Sequence, residues 1–313
     1  MMYQSVMKTR IIAFLFAMLA SASSAWAWDG EGHMMVAEVA WKHLTAASRT
    51  RVSQLLKLNP DYHTWVANVP QSTRQQTAFV RAATWPDAIK TETGYTNDSD
   101  TPPPGPAASQ NIGYSDHLQH RYWHFIDTPF STDGTALVQP AAPNAKTQIQ
   151  LFRTAIAAAG VTDDIKSYDL VWLEHLVGDV HQPLHATSRF SADLRSGDRG
   201  GNSVALCAKP CKNELHAFWD NILGTSKSAV SAITAADKLP AAPAAGTAIA
   251  DEQVWIDESF AAAKQFAYAS PVGPGAGPYV LDATYKQNAV TEAKARIELA
   301  GARLAELINT NLH

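Results

Sequence analysis

His175-Leu-Val-Gly-Asp179-Val-His-Gln-Pro-Leu-His185 is the stretch around which the rest of the chain is organised. Residues four apart on a helix share a face, so His175 and Asp179 point the same way and can hold one metal ion between them. Pro183 ends such a helix and disfavours helical geometry at Gln182, so the chain turns there. The turn carries His185 to a neighbouring position and leaves a shared carboxylate with imidazoles on both sides. His181, two residues after Asp179, should face away from His175 and serve the core or a supporting hydrogen bond.

Working outward, Leu215-His216-Ala-Phe-Trp219-Asp220 supplies a second His/Asp pair at helical spacing, able to complete a metal site begun by His185. Upstream, Trp85-Pro-Asp87 and Trp123-His124-Phe-Ile-Asp127 each set an acidic or imidazole ligand beside an aromatic ring. Asp87 and His124 can join His175 and Asp179. Any one such pair is commonly an ordinary hydrogen bond. Two pairs, a histidine beyond a helix-breaking proline and one more near the start of the secreted chain favour metal when they occur together.

That start is set by Met1 to Ala27, which reads as a secretory signal. Lys8 and Arg10 precede an apolar stretch, Ile11 to Ala20, too short to span a bilayer, and Ala25-Trp26-Ala27 is an A-x-A cleavage site. Removal of 1–27 makes Trp28 the first residue, five before His33. A free α-amine titrates near ~7.7 to 8.0, so with its own carbonyl it can chelate a metal beside an imidazole.

Residues 28–313 contain no repeat or linker and are expected to form one soluble, all-α domain. Helical periodicity runs over 34–46, 49–58, 146–159, 168–180, 214–223, 251–269 and 285–312, while alternating β-branched runs are nearly absent. Segments 93–113, 197–202 and 235–246 read as loops from their Pro, Gly, Asn and Ala content. The last helix reads as a packing element. Of 25 basic and 29 acidic residues, two basic ones lie in the leader, so the remainder carries 23 against 29, a net charge of −6. A general basic footprint for nucleic acid is therefore absent. Cys207 and Cys211 are the two cysteines. An oxidising compartment favours their pairing as a disulfide, and the rival thiolate metal site lacks a second pair.

On these motifs the chain resembles the secreted zinc-dependent type I nucleases, single-strand-specific enzymes with 3′-nucleotidase activity, whose fold zinc-dependent phospholipase C shares. The resemblance runs in motif order from Trp28 through Asp220. It implies a mostly helical domain with long loops around a trinuclear zinc cleft and three Zn²⁺ per chain. Asp87, His124, His175 and Asp179 would hold the first; Trp28, through amine and carbonyl, His33 and the bridging Asp179 the second; His185, His216 and Asp220 the third. Asp127 matches the catalytic aspartate, and Lys90 matches the basic residue three after the first aspartate ligand, although a lysine there also reads as an exposed helix end. One departure is Glu214, where the family commonly has Asn directly before Leu-His; Asn213 stands one place earlier.

The implied function is hydrolysis of single-stranded DNA and RNA, and of nucleotides, to 5′-phosphorylated products by a secreted or periplasmic enzyme without membrane anchor or obligatory protein partner. Unpaired bases can stack on an aromatic beside the metals, whereas duplex bases have their faces occupied. Phe125 is the candidate, its alternative being a core position. Gly201 and Asn202 are candidate pocket residues, their alternative an ordinary turn. The closest rival is phospholipase C activity on lipid headgroups; Asp220, where the lipase pattern has Glu, and the long 185–216 interval speak against it. A zinc-scavenging protein without catalysis is the other.

Overall fold

The computed structural model describes residues 28–208 and 213–312. The expected leader, residues 1–27, and Cys211 of the expected disulfide fall outside them. Among the described residues twelve α-helices follow in order: α1 Gly30–His43, α2 Ala46–Leu56, α3 Tyr62–Trp65, α4 Arg74–Ala82, α5 Trp85–Ala88, α6 Ala145–Ala157, α7 Asp163–His181, α8 Leu215–Asp220, α9 Ala229–Ala236, α10 Ala244–Thr247, α11 Glu252–Ala262 and α12 Ala283–Asn311. Two three-residue strands, β1 Pro129–Ser131 and β2 Ser188–Phe190, pair in parallel and join the segments that follow Asp127 and His185. The architecture is all-α, as expected. Among the described residues no helix is long and apolar enough to cross a membrane.

Each of the seven periodic segments contains a helix, with ends displaced by a few residues. The 251–269 segment changes at Ala263 into a π-helical turn, Ala263–Ala267. Helices α3, α4, α5, α9 and α10 were not expected. α4 is mostly polar by composition, yet it buries Thr77, Ala78, Phe79, Val80 and Ala82, and its 9 residues are shorter than the windows over which a helical period is read. The 235–246 segment is not a continuous loop, since α9 runs into it and α10 begins within it. Alanine, which has no side chain to order, keeps such short helices possible where flanking prolines suggest coil.

α7 is the central helix, packed on α6, α12, α2 and α1, and every residue from Lys166 to His181 is buried. Its first turn carries Asp163 and Asp164, which suit the positive end of the helix dipole. It ends where Pro183 requires: Gln182 is extended (φ −77°, ψ 119°), and a 3-10 turn, Pro183–Ala186, presents His185. α12 serves as the packing helix. At Gly301 a Cβ would lie 2.5 Å from Val39 Cβ and 2.7 Å from Val36 O, so glycine there lets α12 cross close over α1. This contact holds α1, and with it Trp28 and His33, against α7.

Candidate metal centre

Trp28 is fully buried, and its indole N–H donates to Gly178 O at 3.1 Å, directly against α7. Asp29 caps α1, and its backbone N–H donates to Asp220 O at 2.9 Å, which ties the start of the described chain to α8. His33 then stacks on His175 with ring centroids 3.8 Å apart. Gly178 makes this approach possible, because a Cβ there would sit 2.9 Å from His33 Nδ1.

Asp179 divides its carboxylate between two neighbourhoods. Its Oδ1 lies 3.3 Å from His33 Nε2; its Oδ2 lies 3.1 Å from His124 Nδ1 and 3.3 Å from His175 Nε2. Asp87 Oδ1 is 3.7 Å from His175 Nε2 and 3.9 Å from His124 Nδ1. The imidazole beyond Asp179 is thus that of His33. His185 turns instead toward His216, with Nε2 atoms 3.1 Å apart, and toward Asp220 Oδ1 at 4.0 Å. Three groups result, each with ligand atoms within 4.8 Å of one another: His33, Asp87 and His175; His124, His175 and Asp179; His185, His216 and Asp220.

Three of the histidines have their Nδ1 atoms engaged by backbone carbonyls. His175 Nδ1 donates to Ala83 O at 2.8 Å, His185 Nδ1 to His124 O at 2.8 Å and His216 Nδ1 to Gly200 O at 2.6 Å. Such bonds fix the tautomer and leave the opposite nitrogen with a lone pair, the usual supporting arrangement of metal-bound histidine. Two bare lone pairs facing each other in a buried site repel unless a cation lies between them. His185 Nε2 and His216 Nε2, whose Nδ1 protons are both engaged by backbone carbonyls, face each other in this way at 3.1 Å. Asp87 Oδ2 and both nitrogens of His33 are buried with no hydrogen-bond partner. These orphaned atoms and the donor chemistry fit zinc.

Burial lowers the pKa of His33 to about 4 and holds those of His124 and His175 well below the usual imidazole range, so all three are neutral at pH 7. Burial, with Asp87 adding to it, drives the Asp179 carboxyl well above the carboxylate range in the metal-free protein. A neutral histidine can bind metal at once, and the carboxyl must give up its proton as metal arrives.

The other expected residues fall as follows. Lys90 is not an exposed helix end: it is buried, and its ammonium donates to Asp87 Oδ1 at 2.7 Å. Phe125 and Asp127 line a cleft of about 200 Å³ together with His185, His216 and Asn202. Burial, then the nearby Asp198, raises Asp127 to about 7, with Arg199 opposing. Gly201 sits at φ +85°. Asn202 donates from its side-chain amide to Arg199 O at 2.7 Å and so also closes the turn. Asn213 O accepts from Leu206 N–H at 2.9 Å, and Glu214 forms a bridge with Ala205.

His181 is a core residue as expected. Its Nδ1 donates to Val177 O at 2.7 Å and its Nε2 accepts from Arg303 at 3.0 Å. Sequence reasoning missed Gln182, whose amide donates to Asp220 Oδ1 at 2.7 Å while its own carbonyl oxygen accepts from Leu184 N–H. Its place between two ligand histidines was the available signal.

The sequence model for the S1/P1 nuclease matches residues 28–313. The chain belongs to the S1/P1 nuclease family. It is similar to Endonuclease 4 of Arabidopsis thaliana, 26% identical over 216 residues, which cover 64% of this chain and 56% of that protein. Endonuclease 1 of the same plant is 28% identical over 231 residues, covering 68% of this chain and 59% of the relative. The matched stretch thus spans less than two thirds of either relative. The all-α scaffold of this chain is consistent with the S1/P1 nuclease fold.

Proposed function

We propose that the protein is a zinc-dependent phosphodiesterase that cuts single-stranded DNA and RNA, leaving a 5′-phosphate and a free 3′-hydroxyl, and that also removes 3′-phosphate from nucleotides. The observation that carries this reading is the convergence of buried imidazoles and carboxylates from α1, α5, α7, α8 and the turns at His124 and His185 beside a cleft bordered by Phe125. The similar plant proteins are named endonucleases, which favours nucleic acid as substrate.

Three zinc ions would be held by Asp87, His124, His175 and Asp179; by the Trp28 amine and carbonyl with His33 and Asp179; and by His185, His216 and Asp220. Zinc there supplies Lewis acidity toward phosphoryl oxygens and makes water a nucleophile at neutral pH. Asp127, once ionised, accepts a hydrogen bond from the attacking water and aims it at phosphorus. Lys90 fixes Asp87 and adds positive charge beside the developing anion. Phe125 stacks an unpaired base, and Asn202 lines the same cleft at the end of the turn that Gly201, at φ +85°, makes possible.

Residues 28–313 act as one domain after the 1–27 leader has been removed on export to the periplasm or beyond, with Cys207 and Cys211 paired in that oxidising compartment. Metal analysis of the processed protein, with mapping of product ends on single-stranded DNA and RNA, tests the proposal. Three zinc ions and 5′-phosphate ends are expected. Preferential turnover of phosphatidylcholine would assign the centre to lipid headgroups instead, and a protein without zinc that cannot be reconstituted would end the reading.

A further inference from the structure

Arg199 occupies the same cleft as Asp127, His185 and His216, and about half of its side chain is exposed there. Its backbone is held at φ +55°, a left-handed conformation that Gly or Asn adopts at lower cost. The turn is pinned on both sides: Arg199 N–H donates to Ser188 Oγ at 3.2 Å, and Arg199 O accepts from the Asn202 amide. A rigid, strained turn therefore places a guanidinium at the mouth of the candidate metal centre.

Arg199 Nη2 donates to Asp100 Oδ2 at 2.8 Å. The other carboxylate oxygen, Oδ1, accepts from the Nε of Arg121 at 2.9 Å, and the Arg121 side chain is buried. If Arg199 swung away, Asp100 would keep a cation beside it. The guanidinium can therefore move to an anionic ligand without stranding a carboxylate, and its planar fork matches two phosphate oxygens. Asp100 lies in the 93–113 loop, so this ion pair also fastens that loop over the cleft.

We propose that Arg199 grips a phosphodiester next to the one being cut, and so sets a preference for polynucleotides over substrates with a single phosphate. This rests on the nuclease reading above. A dinucleoside monophosphate carries only the scissile phosphate and has nothing for Arg199 to hold, whereas a tetranucleotide has neighbouring phosphates.

The test compares Arg199→Ala and Arg199→Lys with the unaltered zinc-loaded protein, using thymidine di- and tetranucleotides. The ratio of kcat/KM for tetranucleotide to that for dinucleotide should fall about 10- to 100-fold in the alanine variant, the loss of one hydrogen bond to a charged group. The change should appear in KM. Binding of a fluorescent phosphorothioate oligothymidylate, followed by anisotropy against salt, should show the slope of log affinity reduced by about 0.7, one phosphate contact on a single strand. The lysine variant should restore the slope but only part of the ratio, because it keeps the charge and loses the fork. An unchanged ratio and salt slope in an alanine variant that still cuts DNA would overturn the inference and leave the nuclease reading standing. A fall of equal size on both substrates would also overturn it, making the Asp100 pair a loop tether only. If the unaltered protein cuts no nucleic acid, the nuclease reading itself fails and this inference falls with it.

Discussion

Replacing Gly178 by alanine sets two effects of opposite sign against each other at a single methyl group. Gly178 lies in the last turn of α7, where alanine favours the helix by up to about 1 kcal/mol. The added Cβ would stand 2.9 Å from His33 Nδ1 and 3.3 Å from Cε1. Ordinary van der Waals contact requires the ring to retreat by about 0.5 Å, and close packing gives it nowhere to go without cost. His33 is fully buried and already stacked on His175.

Metal–ligand distances tolerate only about 0.2 Å, so the zinc position that uses His33 should weaken. Outer-shell changes of this kind typically cost 10- to 100-fold in metal affinity, about 1.4 to 2.8 kcal/mol. That exceeds the helix gain. Competition with a chromophoric chelator would show one zinc released early, while urea unfolding of the metal-free variant would change by less than about 1 kcal/mol, since there only the helix gain and the cost of moving the His33 ring oppose each other. A variant that retained every zinc at unaltered affinity would show that His33 does not depend on the gap at Gly178.

Three further outcomes are expected. Asp127→Asn should lower turnover on single-stranded DNA about 10²- to 10⁴-fold, the usual worth of a positioned proton acceptor, with zinc content unchanged by elemental analysis; undiminished turnover would remove Asp127 from the reaction. An extra residue before Trp28 should reduce the zinc count seen by native mass spectrometry, since the chelating amine becomes an amide. An extended protein with the full complement would place the second zinc elsewhere. Asp169 is buried, and burial raises its carboxyl to about 8, with the hydrogen bond from Asn111 opposing. It stays protonated in the fold while the unfolded chain ionises near ~3.9, so its contribution is full below that value and is lost as pH rises toward 8. Asp169→Asn should therefore gain on the parent by about 1.4 kcal/mol per pH unit between pH 5 and 7 in urea unfolding of the metal-free protein. A pH-independent difference would contradict this.

The grouping of the candidate ligands on α7 was legible because their spacing is a matter of local geometry. His175 and Asp179 share a face of any α-helix, Pro183 must end that helix, and His181 must point elsewhere; α7 and its 3-10 turn behave accordingly. Trp28 was visible for a different reason, the cleavage site before it, and Asp87 and His124 stood out beside their aromatic neighbours. The short helices were less legible, since an isolated turn of helix is stabilised by its neighbours and not by its own sequence. α4 and α9 form because α1 packs against both.

By itself the sequence determined which residues are available as ligands, the order in which they occur and the helical class of the scaffold, because periodicity and helix breaking act within a few residues. Only the tertiary structure decided how those ligands are shared. Spacing left open whether His185 or His33 stands beside Asp179, a pairing only the family resemblance implied; the fold sets His33 there, buries Lys90 against Asp87 and brings Arg199 to the cleft on Asp100. Those pairings join segments tens of residues or more apart, apart from the local Lys90–Asp87 pair, and even that pair is buried only by distant chain. Contacts of that kind depend on where whole helices pack and on gaps as small as the missing side chains of Gly178 and Gly301, which no local pattern records.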